Sequence, residues 1–245
     1  MENKHLIVLI KGELQRLHKY NVTSISIFVA ILWGVILFFI DLDFFNVLLP
    51  FIVLLDATMM SVMYIGSVMF FEKKEATLST ILVTPVSHKE IILAKIIANT
   101  INNLFSSSLI IIAFVILKDV EIRIPLIIIG IVLTTVFFTG MGLWLSYYQK
   151  DFTTLLTNVM ILMFVFLLPS ALYSFKVLKS DIWEYILKIN PIQAASELIN
   201  AGFKFYEIGW EYYFSLGYVI FGGFIAFKFL IFPKFNDYAI SISGV

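Results

Sequence analysis

Phe71-Glu72-Lys73-Lys74-Glu75-Ala76-Thr77-Leu78-Ser79-Thr80-Ile81-Leu82-Val83-Thr84-Pro85-Val86-Ser87-His88-Lys89-Glu90 is a charged, partly amphipathic island between two long apolar runs. A bilayer expels such a stretch, since a charge at mid-membrane depth costs about 3 kcal/mol or more. The island therefore belongs at a membrane face, and the runs beside it read as membrane spans.

Composition agrees. Hydrophobic residues make up 60% and charged residues 14% of the 245, and the mean hydropathy is +0.97, far from soluble usage. The chain is expected to form one all-α membrane domain over residues 1–245. Zero net charge leaves no basic footprint for nucleic acid, and the absence of cysteine excludes disulfides and thiolate metal sites.

Hydropathy marks six spans: Val22 to Ile40, Val47 to Phe71, Ile91 to Leu117, Pro125 to Leu145, Phe152 to Tyr173 and Tyr212 to Phe232. Continuous apolar runs favour helices over barrel strands, which alternate. Six crossings put both termini on one side. Eleven of the 17 basic residues, among them Lys11, Lys73, Lys89 and Lys150, share that side, which predicts cytoplasmic termini.

Residues 1–21 are interrupted by Lys11, Glu13, Arg16 and Lys19, whereas Leu6, Ile10, Leu14 and Leu17 form an apolar stripe opposite those charges. That pattern predicts an amphipathic helix along the membrane face. Within the island, Leu78, Ile81 and Leu82 give a short helix one apolar side. Pro85 breaks it at Thr84. Ser87 and Glu90 have capping-box spacing, so the next helix starts there. A short rigid helix of this kind suits a groove in a soluble partner, and an interfacial turn is the plainer alternative.

The segment Thr77 to Ser87, followed by Glu90-Ile91-Ile92-Leu93-Ala94-Lys95, resembles the signature of ABC-2 type permeases, membrane subunits of ATP-binding-cassette exporters. Ala76 and Ala94 stand where glycine is common in that pattern, and Ser79 where glutamate is common. The resemblance implies a cytoplasmic coupling helix between spans two and three, contacting an ATPase through Glu72, Glu75, Thr77, Leu78, Ile81, Leu82, Thr84 and Pro85. It also implies short outer helices within Trp183 to Tyr206, with Ile192, Ala195, Leu198, Ile199 and Phe203 as their buried side and Asn190-Pro191 as a helix start. The sequence has no Gly-x-x-x-x-Gly-Lys-Ser/Thr loop, so no cofactor is expected in this chain. ATP and Mg would bind ABC ATPase partner subunits, alongside a second permease copy or a related permease in the lipid bilayer. The residue usage fits a bacterial plasma membrane, and the implied cargo is a hydrophobic or amphipathic peptide, drug or lipid-like molecule leaving by alternating access.

Polar groups inside spans are candidates for a substrate pathway or for packing. Asp56 lies roughly 15 Å from the outer end of its span by helical rise, where pairing and pathway contact are both open. Lys95, Asn99, Asn102 and Ser106 line one helical face, as interhelical glue or translocation surface. Trp33 either touches cargo or packs. Gly217, Gly222 and Gly223 suggest close helix approach in the last span. Two other classes compete: a non-transporting assembly or anchor subunit, and an intramembrane enzyme. The enzyme class lacks a His-Glu-x-x-His or Gly-x-Ser-x-Gly motif.

Overall fold

The computed structural model describes residues 2–39, 42–82, 84–118 and 120–243. The helices run in the order α1 (Glu2–Lys19), α2 (Val22–Phe38), α3 (Leu42–Leu55), α4 (Ser61–Lys74), α5 (Thr77–Leu82), α6 (His88–Lys118), α7 (Ile124–Ser146), α8 (Phe152–Leu162), α9 (Leu168–Ser174), α10 (Asp181–Leu187), α11 (Pro191–Asn200), α12 (Trp210–Ala226) and α13 (Phe232–Ser243). Single π turns, Asp56–Met60, Met163–Leu167 and Phe227–Ile231, join α3 to α4, α8 to α9 and α12 to α13 as continuous rods. Among the described residues no strand forms, and one isolated antiparallel bridge pairs Ile122 with Phe203.

Five helices are long and apolar enough to cross a membrane: Asn46–Lys74, His88–Ile116, Ile124–Ser146, Phe152–Ser174 and Trp210–Ala239. The pair α1 and α2 passes the same test of length and composition only when taken together as one span broken by 61°, which brings the candidates to six. The bend has a backbone cause, since Asn21 adopts φ 59, a left-handed conformation that asparagine tolerates and that ends helices. α2 has 17 residues, only about 25 Å of helix. The last rod runs past the expected end at Phe232, and its continuation α13 packs against α5 and α6.

Burial ranks the rods. The apolar window of Asn46–Lys74 is 72% buried, against 28% for Phe152–Ser174 and 22% for Trp210–Ala239. The first is the axis of the bundle and the other two are peripheral. α1, α5 and α13 gather at the end where α4 finishes and α6 begins. The expected outward placement of all α1 charges does not hold: Glu13 is buried beside Leu17.

At the opposite end α11 folds back among α3, α7 and α12. Asn190 caps it by accepting from the Ile192 amide, and Pro191 occupies the first turn, where its missing N–H costs nothing. Ile192, Ala195, Leu198, Ile199 and Phe203 are all fully buried. Arg123 closes the other end of this motif by donating from Nη1 to the carbonyls of Ala201 (3.1 Å), Phe203 (2.9 Å) and Tyr206 (3.0 Å).

Close helix approach falls elsewhere than the last span. No atom lies within 4 Å of a Cβ built at Gly217, and Gly222 and Gly223 meet only the Phe137 ring at ordinary contact distance. A Cβ at Gly130 would instead lie 2.6 Å from the Leu198 carbonyl oxygen, where α7 meets α11, and one at Gly142 3.1 Å from Val62 Cα, where α7 meets α4. Backbone cannot retreat as a side chain does. Gly130→Ala is therefore expected to cost about 1–3 kcal/mol by overpacking, while Gly217→Ala is neutral or stabilising by up to about 1 kcal/mol. Thermal unfolding of the two variants in the same detergent separates them.

Candidate functional site

The charged island closes on itself through side chains that flank it. Lys95, about two turns into α6, is completely buried and places Nζ 2.5 Å from Glu72 Oε1 at the end of α4 and 3.1 Å from Glu13 Oε1 in α1. Arg16 adds 2.8 Å pairs to both carboxylates. Two acids and two bases from three helices thus form one neutral cluster. Glu72, expected as a contact for a partner, has no exposed surface; its position makes it an internal anchor.

The connection between these anchors is held by its own hydrogen bonds. Thr77 Oγ1 donates to the Glu72 carbonyl at 3.3 Å, one of the acceptors that a helix end leaves open. Ala76 carries φ 53, a conformation in which glycine pays no steric penalty. This is the position where the resembling signature has glycine. The Ser87–Glu90 box forms at the start of α6: the Ser87 amide donates to Glu90 Oε2 at 2.8 Å, and the Glu90 amide to Ser87 Oγ at 3.3 Å. Exposed Glu75 accepts from Lys19 Nζ (2.8 Å) and Tyr20 hydroxyl (3.0 Å), which hold its carboxyl below the usual range.

α5 itself shows two sides. Ile81 packs with Val86 against a cluster that includes Phe235 and Tyr238 of α13, so its side chain faces this chain. Thr80, Thr84 and Pro85 are exposed, and Thr77 is half-buried. The side chains of Leu78, Ser79 and Leu82, and Val83 altogether, lie outside the described residues.

The polar stripe of α6 lies inside the bundle, and each member bonds within the chain. Asn99 Nδ2 donates to Thr139 Oγ1 at 2.7 Å. Asn102 meets Thr23 and Ser26 of α2. Ser106 donates to Asp56 Oδ1 at 3.1 Å. Two neighbours that the sequence reading passed over do as much: Asn103 donates to the Asp56 carbonyl at 2.8 Å and accepts from Thr135, and Ser107 donates to Asp56 Oδ2 at 2.7 Å. Their signal was present, since Lys95, Asn99, Asn103 and Ser107 recur every four residues. Asp56 opens a π turn, a wide turn that displaces backbone groups from ordinary helical register. Trp33 is half-buried against the main apolar core.

A bundle of apolar rods, with a hydrogen-bonded polar seam inside and a pinned charged connection at one end, defines a polytopic membrane protein. The chain belongs to the fluoroquinolones export permease protein family, whose model matches residues 4–240. It is thus an export permease. No curated protein matches it significantly.

Two variants test the site. Lys95→Met strands two buried carboxylates with Arg16 alone and is expected to cost about 3–5 kcal/mol; a Lys95→Met, Glu72→Gln double variant recovers part of this in thermal unfolding. Ala76→Gly relieves the left-handed backbone and is expected to raise stability by about 1 kcal/mol in the same assay.

Proposed function

We propose that the chain is the membrane subunit of an ATP-driven exporter of the ABC-2 type, in a bacterial plasma membrane with both termini cytoplasmic. α5 is then the coupling helix, and its exposed edge at Thr80, Thr84 and Pro85 is the surface on which a nucleotide-binding subunit presses. The observation that carries this reading is the buried Lys95–Glu72 pair, with Glu13 and Arg16, immediately behind α5. Because the helices on either side of α5 are locked to one another and to α1, a push on α5 moves them as a unit. A loosely joined turn would dissipate it. The signature around Thr84-Pro85 and the family membership support the same reading.

The cargo named by the family, a fluoroquinolone, is a flat amphipathic drug, and that class fits the earlier expectation of an amphipathic substrate. Two permease copies, or this one and a related chain, would frame its path, with ATP and Mg held by the ATPase partners. The polar seam between α2, α3–α4, α6 and α7 keeps each copy's spans together while the copies rock.

Purification in mild detergent, with the nucleotide-binding subunit co-expressed, is expected to bring that subunit along and to show ATPase activity stimulated by a fluoroquinolone. Thr80→Arg, on the exposed edge of α5, should lower that stimulation about tenfold, the equivalent of roughly 1.4 kcal/mol of docking free energy, while the melting temperature stays unchanged. Absence of any associated ATPase, or labelling of residue 80 from outside intact cells, overturns the reading.

A further inference from the structure

At the end of the bundle away from α5, two adjoining cavities of about 740 Å³ and 340 Å³ share the side chains of Tyr173, Gln193, Glu197 and Tyr206. Together they form a cleft of the size that holds a drug-like molecule. Glu197 stands on the partition between them. Its carboxylate is fixed by neutral donors only: Gln193 Nε2 donates to Oε1 at 3.0 Å, and the Tyr206 hydroxyl donates to Oε2. Gln193 is steadied in turn by Ser170, which donates to its Oε1 at 2.6 Å.

A carboxylate has about four acceptor sites, so two remain on Glu197. No cation fills them, for among the described residues Glu197 forms no ion pair. Lys188, the basic residue lining the smaller cavity, is paired with Glu184 at 3.3 Å and lies over the ring of Trp210 at 4.5 Å, while Lys176 and Lys179 line the larger cavity and, among the described residues, neither comes within ion-pair distance of Glu197. Glu211 lines the same cavity and adds negative potential at Glu197. Burial and Glu211 raise the Glu197 carboxyl, and the bonds from Tyr206 and Gln193 pull the other way. The walls are aromatic, with Tyr173, Tyr206, Trp210 and Phe214.

We infer that this cleft is a binding site for an aromatic amine in its protonated form, with the ammonium on the open lone pairs of Glu197 and the ring among the aromatic walls. An ammonium supplies the counter-charge that the half-buried carboxylate lacks, and rings flanking it add cation–π attraction. The helix that carries Glu197 is capped at both ends, by Asn190 and by Arg123, so the site is formed before ligand arrives. As a station for exported cargo the cleft rests on the export reading, whereas binding itself needs neither ATP nor a partner.

The test uses the purified full chain in detergent and two matched probes, protonated 1-naphthylmethylamine and neutral 1-naphthylmethanol, read by quenching of tryptophan fluorescence. The amine is expected to bind about tenfold or more tightly than the alcohol, as one charge-assisted hydrogen bond implies. Glu197→Gln should erase that preference. Trp210→Phe should remove most of the quench, placing the probe in the cleft even if Glu197→Gln does not accumulate. Equal affinity for the two probes, a preference that survives Glu197→Gln, or a quench that survives Trp210→Phe each overturns the inference. None of these results alters whether an ATPase co-purifies, so the export reading stands or falls separately.

Discussion

A lysine ammonium with no exposure inside a helix bundle is the constraint from which one end of this protein follows. Stripping a charge of water costs several kcal/mol even after relaxation, so Lys95 is tolerable only with carboxylates in direct contact. Glu72 and Glu13 supply them, from helices on either side of α6, and Arg16 restores neutrality. α1 is therefore not free to lie anywhere along a membrane surface. It has to stay where Glu13 reaches Lys95, and the 61° bend at Tyr20-Asn21 lets α2 depart from there into the bundle. The charged connection between α4 and α6 becomes a short strap with fixed ends.

Deeper in the bundle, the same difficulty of leaving polar groups unpaired works as adhesive. Apolar side chains gain little by leaving lipid for one another, so hydrogen bonds and close backbone packing decide which helices associate. The seam of Asn99, Asn102, Asn103, Ser106 and Ser107 joins α6 to α2, to the π turn at Asp56 and to α7. The rods 152–174 and 210–239 contribute nothing to this seam, and they are the least buried. Their exposed faces, with Phe164, Phe221, Phe224 and Phe229, are what a lipid-facing surface requires.

Some of this was legible in the sequence and some could not be. Apolar run length located the spans, because a hydrocarbon layer sets a minimum that no short-range pattern imitates. The capping box at Ser87 followed from spacing alone, since it is settled within one turn of helix, whereas the buried side of α11 was implied by the resemblance to ABC-2 type permeases. Glu13 was misplaced by the same kind of reasoning. Its position on the wheel says solvent, but its partner lies 82 residues away on another helix, and a helical wheel carries no information about a neighbour. The glycines failed for a related reason: closeness at Gly130 depends on the Leu198 carbonyl, which only the fold brings there. Glu72 looked like surface charge because the fate of a charge at a helix end depends on what packs over it.

The two ends of the molecule are joined by one helix. α7 meets α4 at Gly142 and α11 at Gly130, and at both places the absent side chain brings backbone against backbone. Twelve residues separate the two glycines, about 18 Å along the axis. Contacts between backbones have no rotamers with which to absorb a shift, and close-packed interiors compress little. The two contacts fix α7 against α4, which shares the charge cluster behind α5, and against α11, which carries Glu197. The glycines on α7 are thus the structural reason that this helix lies backbone against backbone on both α4 and α11.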